Sequence, residues 1–192
     1  MKKYMQVEYE AIKKLIDGCG DQYDETVDFL EKTNGRIVFM GVGKSAHIGE
    51  KLASTFASLG LPSFFVHSTE AMHGDLGMLT PNDVAILISN SGSTKEVVQN
   101  ILPLRRNGVK TVAFTSRGDS ILAGECDYRI IYPALKEADE LNLAPTVSST
   151  LTLVLGDAIA CELSARKNFT KENFFAYHPN GALGEKLSRE VR

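Results

Sequence analysis

Two short segments contain residues that could bind a phosphate group. The first, the glycine turn, is Gly41-Val42-Gly43-Lys44-Ser45, and the second, the serine loop, is Ser89-Asn90-Ser91-Gly92-Ser93-Thr94. Each follows a short apolar run and precedes a stretch with helical spacing. Free amides at a helix N-terminus favour an anion, and hydroxyl groups can donate further hydrogen bonds to it. Because no acidic pair for magnesium accompanies the serine loop, the pattern favours a phosphate monoester over a triphosphate.

Nucleotide-binding motifs explain the glycine turn poorly. A P-loop needs a glycine five residues before its Gly-Lys pair, and that position is Val38, inside a predicted strand. Read on to Ala46, the turn also fits a dinucleotide-binding pattern, but such a site needs an acidic residue closing the second strand. His67 stands there, and Glu70 comes too late. For both segments, a packing or helix-capping role remains the structural alternative.

Two histidines and two glutamates are candidates for acid–base chemistry. Moving a carbonyl between neighbouring sugar carbons needs a proton carrier with a pKa near 7. His73 and His178 both lie in irregular, glycine-bearing segments, where a plain surface role is the alternative. Glu96 follows the serine loop, where a carboxylate also benefits from the helix dipole, and Glu137 stands in an acidic stretch typical of a solvated face.

A required metal or cofactor is not expected. None of the four histidines stands at the i, i+4 spacing of helical zinc ligands. His47 and His67 are interpreted as structural. Cys19, Cys126 and Cys161 are widely separated, which favours free thiols in a reducing compartment.

The elements that must position these residues alternate between strand and helix. After two predicted helices between Tyr4 and Thr33, interrupted at Gly18 and Gly20, β-rich runs and helical stretches follow each other. The predicted strands are Arg36–Met40, Ser63–His67, Val84–Ser89, Thr111–Ser116 and Arg129–Tyr132, and the predicted helices between and after them are Ser45–Leu59, Thr94–Asn107 and Val147–Lys167. Continuous apolar strands of this kind predict a five-stranded parallel sheet with helices on both faces.

One α/β domain is expected, with N-terminal helices over residues 1–34 and the core and C-terminal segment over residues 35–192. The net charge of −3 and the absence of a basic run argue against a nucleic-acid or membrane surface. The first ten residues are charged and lack the apolar region of a signal peptide, and the apolar stretches look strand-length. A cytoplasmic location is therefore predicted.

The ordered motifs together resemble the sugar isomerase (SIS) domain family, and are most similar to its arabinose 5-phosphate isomerase group. The matching segments include Met40–Gly49, Glu70–Met78 with its HGDLG sequence, Ile88–Gly92, Leu143-Ala144-Pro145-Thr146, and His178-Pro179 with Gly181-Ala182-Leu183-Gly184. They cover about four-fifths of the chain in family order, and the HGDLG, LAPT and HPxGALG segments are far more specific than a glycine turn alone.

The resemblance implies a flavodoxin-like fold and an aldose–ketose isomerase for D-arabinose 5-phosphate and D-ribulose 5-phosphate. Phosphate would be held by Gly43, Ser45, Ser89, Ser91, Ser93 and Thr94. His178 would move the proton between C1 and C2 through a cis-enediol, and His73 would assist ring opening. Lys44 would stabilise developing charge, while Glu96 and Glu137 would orient these groups.

The resemblance also implies a homotetramer with active sites between subunits, in which His73 could serve a neighbour's site. Asn180 and Ser93 depart from the family's usual glycine and glutamate. Many relatives carry a pair of CBS regulatory modules after this domain, whereas this sequence ends at Arg192. A stand-alone isomerase is therefore expected, supplying a precursor of 3-deoxy-octulosonate for lipopolysaccharide or capsule. The alternatives are an isomerase of a hexulose or heptose phosphate and a non-catalytic sugar-phosphate-binding regulator.

Overall fold

A single sheet of five parallel strands forms the centre of the molecule. The structure, a computed structural model, describes residues 1–180 and 186. The strands are β1 Ile37–Gly41, β2 Ser63–His67, β3 Val84–Ile88, β4 Lys110–Thr115 and β5 Tyr128–Ile131. Their order across the sheet is β2-β1-β3-β4-β5, and every neighbouring pair is parallel. The predicted fold class is confirmed, with strand ends that differ by no more than one residue from the predicted ones.

Helices cover both faces of this sheet. They are α1 Lys2–Asp17, α2 Asp24–Glu31, α3 Gly43–Ser58, α4 Ser68–Ala71, α5 Lys95–Val98, α6 Ile101–Arg106, α7 Ile121–Glu125, α8 Val147–Arg166 and α9 Lys171–Tyr177. The prediction of one continuous helix over Thr94–Asn107 is wrong, because α5 and α6 are separate there. Pro103 has no amide to donate to the Gln99 carbonyl and its ring would clash with it, so it is tolerated only in the first turn of α6.

The alternation of side chains along each strand divides the core between the two faces. Phe39, Ile86 and Phe114 belong to a buried cluster with α1, α2, α3 and α8. Their neighbours, including Met40 and Leu87, belong to a second buried cluster with α4 to α7. Since successive side chains of a strand point to opposite faces, continuous apolar runs need cover on both sides. Burying each large apolar side chain contributes about 1.5–3 kcal/mol to stability.

The strand order places the glycine turn and the serine loop side by side. From β1 the chain crosses to β2 on one side, and from β2 it returns past β1 to β3 on the other. The direction of crossover therefore reverses between β1 and β3, which leaves a crevice at their carboxyl ends. The glycine turn follows β1 and the serine loop follows β3, so both predicted phosphate-binding segments border this crevice.

Among the described residues, α8 is long and apolar enough, by length and composition, to cross a membrane. The expectation that apolar stretches are only strand-length is therefore wrong for this helix. Its apolar window is 56% buried, and it packs against α1 and α3. A Cβ atom at Gly156 would lie 2.6 Å from the Leu52 methyl groups, which shows how closely α8 approaches α3. Packing in the core accounts for the apolar character of α8.

A buried carboxylate ties the start of β1 to the start of β3. The Asp83 side chain is 1% exposed and accepts hydrogen bonds from the backbone amide and guanidinium of Arg36 and from the amide and hydroxyl of Thr80. Burial would raise the pKa of Asp83, but the hydrogen bonds from Arg36 and Thr80 outweigh it and hold the pKa well below its usual range. The charged form is therefore the one that stabilises the fold.

Asp83→Asn should lower the free energy of unfolding at pH 7 by about 2–3 kcal/mol, because it removes the charge that Arg36 and Thr80 satisfy. A group with a depressed folded pKa stabilises the protein above its unfolded pKa, near 4 for Asp, and this stabilisation is lost as the pH falls. Urea denaturation at several pH values should show the difference from wild type shrinking below about pH 4. Asp119→Asn, at an exposed pair with Arg117, is the control and should change little.

Candidate functional site

The glycine turn places Lys44 and Ser45 in the first turn of a long helix at the carboxyl end of β1. Strand β1 ends at Gly41, and α3 begins at Gly43, whose φ of 58° is a left-handed conformation that glycine adopts without strain. A Cβ atom at Gly41 would lie 3.1 Å from the Ser45 carbonyl carbon, so the turn is tightly closed. The first amides of α3 have no intrahelical acceptor and, with the Ser45 hydroxyl, are available to an anion. Lys44 is exposed beside them.

The hydroxyl groups of the serine loop bond to one another. Ser89 is buried, and its Oγ lies 2.8 Å from Thr94 Oγ1 and accepts a hydrogen bond from the Gly92 amide. Ser91 Oγ accepts from the amide and the hydroxyl of Ser93, and the bonds lie on the exposed side of the loop. Thr94 occupies the N-cap position of α5 but makes no capping hydrogen bond with its side chain. The capping alternative is therefore wrong for Thr94, whose hydroxyl bonds to Ser89 within the loop instead.

The segment after β4 holds the serine loop in place. The Asn90 carbonyl accepts hydrogen bonds from the Thr115 hydroxyl at 3.1 Å and from the Ser116 hydroxyl at 2.8 Å. Gly92 has a φ of 63°, and a Cβ atom there would lie 2.0 Å from Ser120 Oγ. The polar loop after β4 is visible in the sequence, but its contact with the serine loop depends on the neighbouring positions of β3 and β4.

The two segments meet around a small cavity and an open cleft. Lys44, Ser45, Asn90 and Tyr132, together with the N-terminus of α8, line a cavity of about 40 Å³. The Tyr132 hydroxyl donates to Asn90 Oδ1 at 3.0 Å, and burial raises the pKa of Tyr132 to about 12, so the phenol stays a neutral donor at ordinary pH. On the other side, the serine loop and residues 116–121 contribute to a cleft of about 570 Å³. Sequence reasoning missed Tyr132; its signal is a polar aromatic residue directly after the last strand.

Glu137 lies at the N-terminus of α8. Its Oε2 accepts hydrogen bonds from the amide and hydroxyl of Thr146, at 2.8 and 3.1 Å, and from the Ser148 amide at 3.1 Å. The carboxylate thus satisfies amides that an α-helix leaves free, and the helix dipole favours its charge. Ser148 also lines the small cavity, which places Glu137 at the same end of the sheet as Lys44. The solvated acidic face expected as the alternative is wrong for Glu137.

The buried side-chain amide of Asn100 joins the segments that carry Glu96 and His73. Glu96 is exposed on α5, and because α5 has only four residues its dipole offers little stabilisation. Asn100 Nδ2 donates to the Glu96 carbonyl at 2.7 Å and to the Ser68 carbonyl at 3.0 Å, which connects α5 to α4. His73 follows α4, with its side chain exposed. Both side chains are therefore accessible to a bound molecule or to a second copy of the chain.

His178 lies far from the serine loop within one chain. Helix α8 starts beside the Glu137 carboxylate and runs for 20 residues, about 30 Å, to Arg166 at the opposite end of the sheet. There the Phe169 ring lies close over Gly60, just beyond the C-terminus of α3. Phe174 is 6.5 Å from the Phe169 ring, and His178 stacks on Phe174 at 4.0 Å. The structure therefore brings together Lys44 and Glu137 but not His178; the following segment, Gly181 to Gly184, lies outside the described residues.

His67 has a structural role, and among the residues that the structure describes the histidines form no arrangement typical of a metal site. His67 Nδ1 accepts from the Thr69 amide at 3.4 Å and caps α4, which agrees with its predicted structural role. Within residues 1–180 and 186, no group of three or more His, Cys, Asp or Glu side chains is placed to hold a metal ion. The absence of a required metal stays a prediction.

These features define an α/β protein with a crevice at the topological switch point of a parallel sheet, bordered by helix amides and hydroxyl groups that could hold an anion. Residues 29–161 match the SIS domain family, and the chain belongs to that family. The match begins in α2 and ends in α8, so it contains every strand and both predicted phosphate-binding segments.

Named proteins are similar to this chain over nearly its whole length. Arabinose 5-phosphate isomerase KdsD of Escherichia coli K12 is 46% identical over 190 residues, covering 99% of this chain and 58% of its own length. The Pseudomonas aeruginosa protein of the same name is 44% identical over 185 residues, covering 96% and 57%. The chain thus spans less than two thirds of these relatives. A solved structure of a protein from E. coli CFT073 in complex with arabinose 5-phosphate is 48% identical, with a TM-score of 0.91, and covers 93% of this chain and 95% of that one.

Gly92→Ala should weaken phosphate binding by tenfold or more, on the order of 1.4 kcal/mol, because the added methyl group would collide with Ser120 and strain a positive φ. Calorimetric titration with inorganic phosphate and with arabinose 5-phosphate measures this. Gly124→Ala, where a Cβ atom meets nothing within 4 Å, is the matched control and should bind normally. Wild-type affinity in Gly92→Ala would contradict the assignment of the serine loop.

Proposed function

We propose that this chain is an aldose–ketose isomerase that interconverts D-arabinose 5-phosphate and D-ribulose 5-phosphate. The observation that carries this proposal is the convergence of the glycine turn, the serine loop and Glu137 at one end of the sheet. The arabinose 5-phosphate bound by a 48% identical protein of matching length supports the same substrate. Supply of arabinose 5-phosphate as a precursor of 3-deoxy-octulosonate, for lipopolysaccharide or capsule, is the expected biological role.

The phosphate group is held by donors without a large excess of charge. The first amides of α3, the Ser45 hydroxyl and the hydroxyls of Ser91 and Ser93 supply hydrogen bonds, and Ser89 with Thr94 shapes the loop from within. Gly43 adopts the left-handed φ of 58° that this turn needs without strain, and a Cβ atom there would project into open space. Lys44 contributes a positive charge at the edge of the site.

The isomerisation moves hydrogen without any net oxidation of the molecule. A base removes the proton from C2 of the open-chain aldose, and O1 gains a proton, which gives the cis-enediol. O2 then loses a proton as C1 gains one, which gives the ketose. We assign the transfer between C2 and C1 to His178, ring opening to His73, and stabilisation of the developing enediolate to Lys44. Glu96 and Glu137 orient these groups.

Because His178 lies at the end of the sheet opposite the serine loop of its own chain, we propose that it serves the site of a neighbouring copy in a homotetramer. Exposed apolar residues on α1, including Met5 and Tyr9, support an interface, as do Leu141 and Leu143 near Glu137, which are 76% and 75% exposed. The exposed position of His73 suits a shared site as well.

The free thiols of Cys19, Cys126 and Cys161 agree with the proposed cytoplasmic location.

Purified protein mixed with arabinose 5-phosphate should form ribulose 5-phosphate, with equal rates in the presence and absence of a chelator. His178→Ala should lower kcat by about 100-fold or more, the usual cost of losing a general acid–base. Ketose formation measured by a coupled assay tests both. Turnover of only a hexose or heptose phosphate would favour a different isomerase, and phosphate binding without any turnover would favour a regulator.

Mixing two inactive variants tests whether sites are shared. Lys44→Ala and His178→Ala should each be inactive alone. After mixed refolding or co-expression, hybrid oligomers contain some sites with an intact Lys44 from one copy and an intact His178 from another. We expect recovery of about a quarter or less of wild-type activity, as random mixing of two half-sites predicts. If the mixture stays inactive while the copies demonstrably exchange, His178 acts within its own chain or not at all.

A further inference from the structure

The loop from Glu137 to Thr146 contains no helix or strand, yet its own atoms accept most of its amides. Asn142 donates its backbone amide to the Asp139 carbonyl, and its side-chain Oδ1 accepts the Glu137 amide at 2.7 Å. The Ala138 amide donates to the Thr146 hydroxyl at 2.8 Å, which closes the two ends of the loop on each other. Most residues between Glu140 and Pro145 are nevertheless exposed. Internal hydrogen bonds, rather than burial, hold this loop in one conformation.

The carboxylate of Asp139 lies at the centre of that network. It accepts the backbone amides of Leu141 at 3.0 Å, Leu143 at 3.1 Å and Ala144 at 3.0 Å. Three amides converging on one carboxylate form a concave anion-binding backbone of the kind that nests present to anions. Asn142, between them, has a φ of 54°, which turns the chain back toward Asp139. The negative charge therefore favours this conformation over the alternatives open to an exposed loop.

The same loop determines where the Glu137 carboxylate lies. Glu137 is held at its amide by Asn142 and at its side chain by Thr146 and Ser148. Asn142 lies within the segment whose amides bond to Asp139, and Thr146 follows it, so the positions of both depend on the turn that Asp139 stabilises. Glu140, by contrast, pairs with Lys3 on the exposed surface, and the two side chains are 69% and 68% exposed. Such an exposed pair contributes little to stability.

We propose that Asp139 is a positioning residue for the isomerase reaction, acting through Glu137. The Asp139 carboxylate bonds to amides of its own loop, and that loop holds the Glu137 carboxylate at the N-terminus of α8, where Ser148 lines the small cavity. This inference rests on the proposed function for its catalytic consequence, and on the hydrogen bonds alone for its structural one.

The decisive variant is Asp139→Asn, which keeps the shape but turns an NH₂ group toward backbone N–H donors. Amide hydrogen exchange should become about tenfold faster at Leu141, Leu143 and Ala144, and faster also at Thr146 and Ser148, whose amides bond to Glu137. With arabinose 5-phosphate, kcat should fall by about tenfold while KM changes less than twofold, because the phosphate site is separate. Glu140→Gln removes the same charge from the next residue and should leave exchange and kcat near wild type.

A double-mutant cycle separates positioning from general destabilisation. In the Glu137→Gln background, adding Asp139→Asn should lower kcat by less than about twofold, since its effect passes through a group already altered. Equal losses in both backgrounds would overturn the proposal. Unchanged exchange at Thr146 and Ser148 would overturn it too, even if the wild-type protein isomerises no sugar phosphate. If the wild-type protein is inactive but Asp139→Asn still exchanges faster at these amides, the proposed function is rejected. The role of Asp139 in positioning Glu137 is then retained.

Discussion

The whole site depends on one constraint: the carboxyl ends of β1 and β3 are neighbours, and the chain leaves them in opposite directions. This arrangement opens a crevice between two helix-starting segments, where backbone amides face outward with no acceptor of their own. A protein with a net charge of −3 cannot attract a phosphate ester by its overall field. In the proposed isomerase, local dipoles and hydroxyl groups at the crevice would supply the attraction instead.

The surroundings keep those donors in place. Within the serine loop, the Ser89 and Thr94 hydroxyls bond to each other. The Thr115 and Ser116 hydroxyls, which follow β4, donate to the loop's Asn90 carbonyl. Tyr132, at the end of the last strand, donates to the Asn90 side chain across the small cavity. The contacts from Thr115, Ser116 and Tyr132 join segments far apart in the sequence, so the sheet must be formed before the anion site exists. Preorganised donors of this kind bind without reorganising, which is what electrostatic stabilisation of an enediolate requires.

Acid–base groups are distributed differently from phosphate-binding groups. Glu137 is fixed by the N-terminus of α8 and by its own loop. His73 is exposed, and His178 lies beyond the C-terminal end of α8. In the proposed mechanism, the phosphate-binding groups therefore come from one chain, and proton transfer needs a second. Such a division would make activity depend on assembly, while binding of inorganic phosphate would not.

The sequence alone determined the strands and most helices, because apolar runs buried on both faces and glycine-marked turns are local patterns. It also predicted the glycine turn and the serine loop as phosphate-binding segments at helix starts, since such segments have a compositional signature. It failed where a single residue outweighed periodicity: Pro103, in the first turn of α6, prevents one continuous helix with α5. Only the tertiary structure decided that Thr94 bonds to Ser89 and that Tyr132 reaches Asn90. It also decided that Glu137 caps α8 and that His178 lies remote from them, because those relations depend on strand order and helix length rather than on neighbours in sequence.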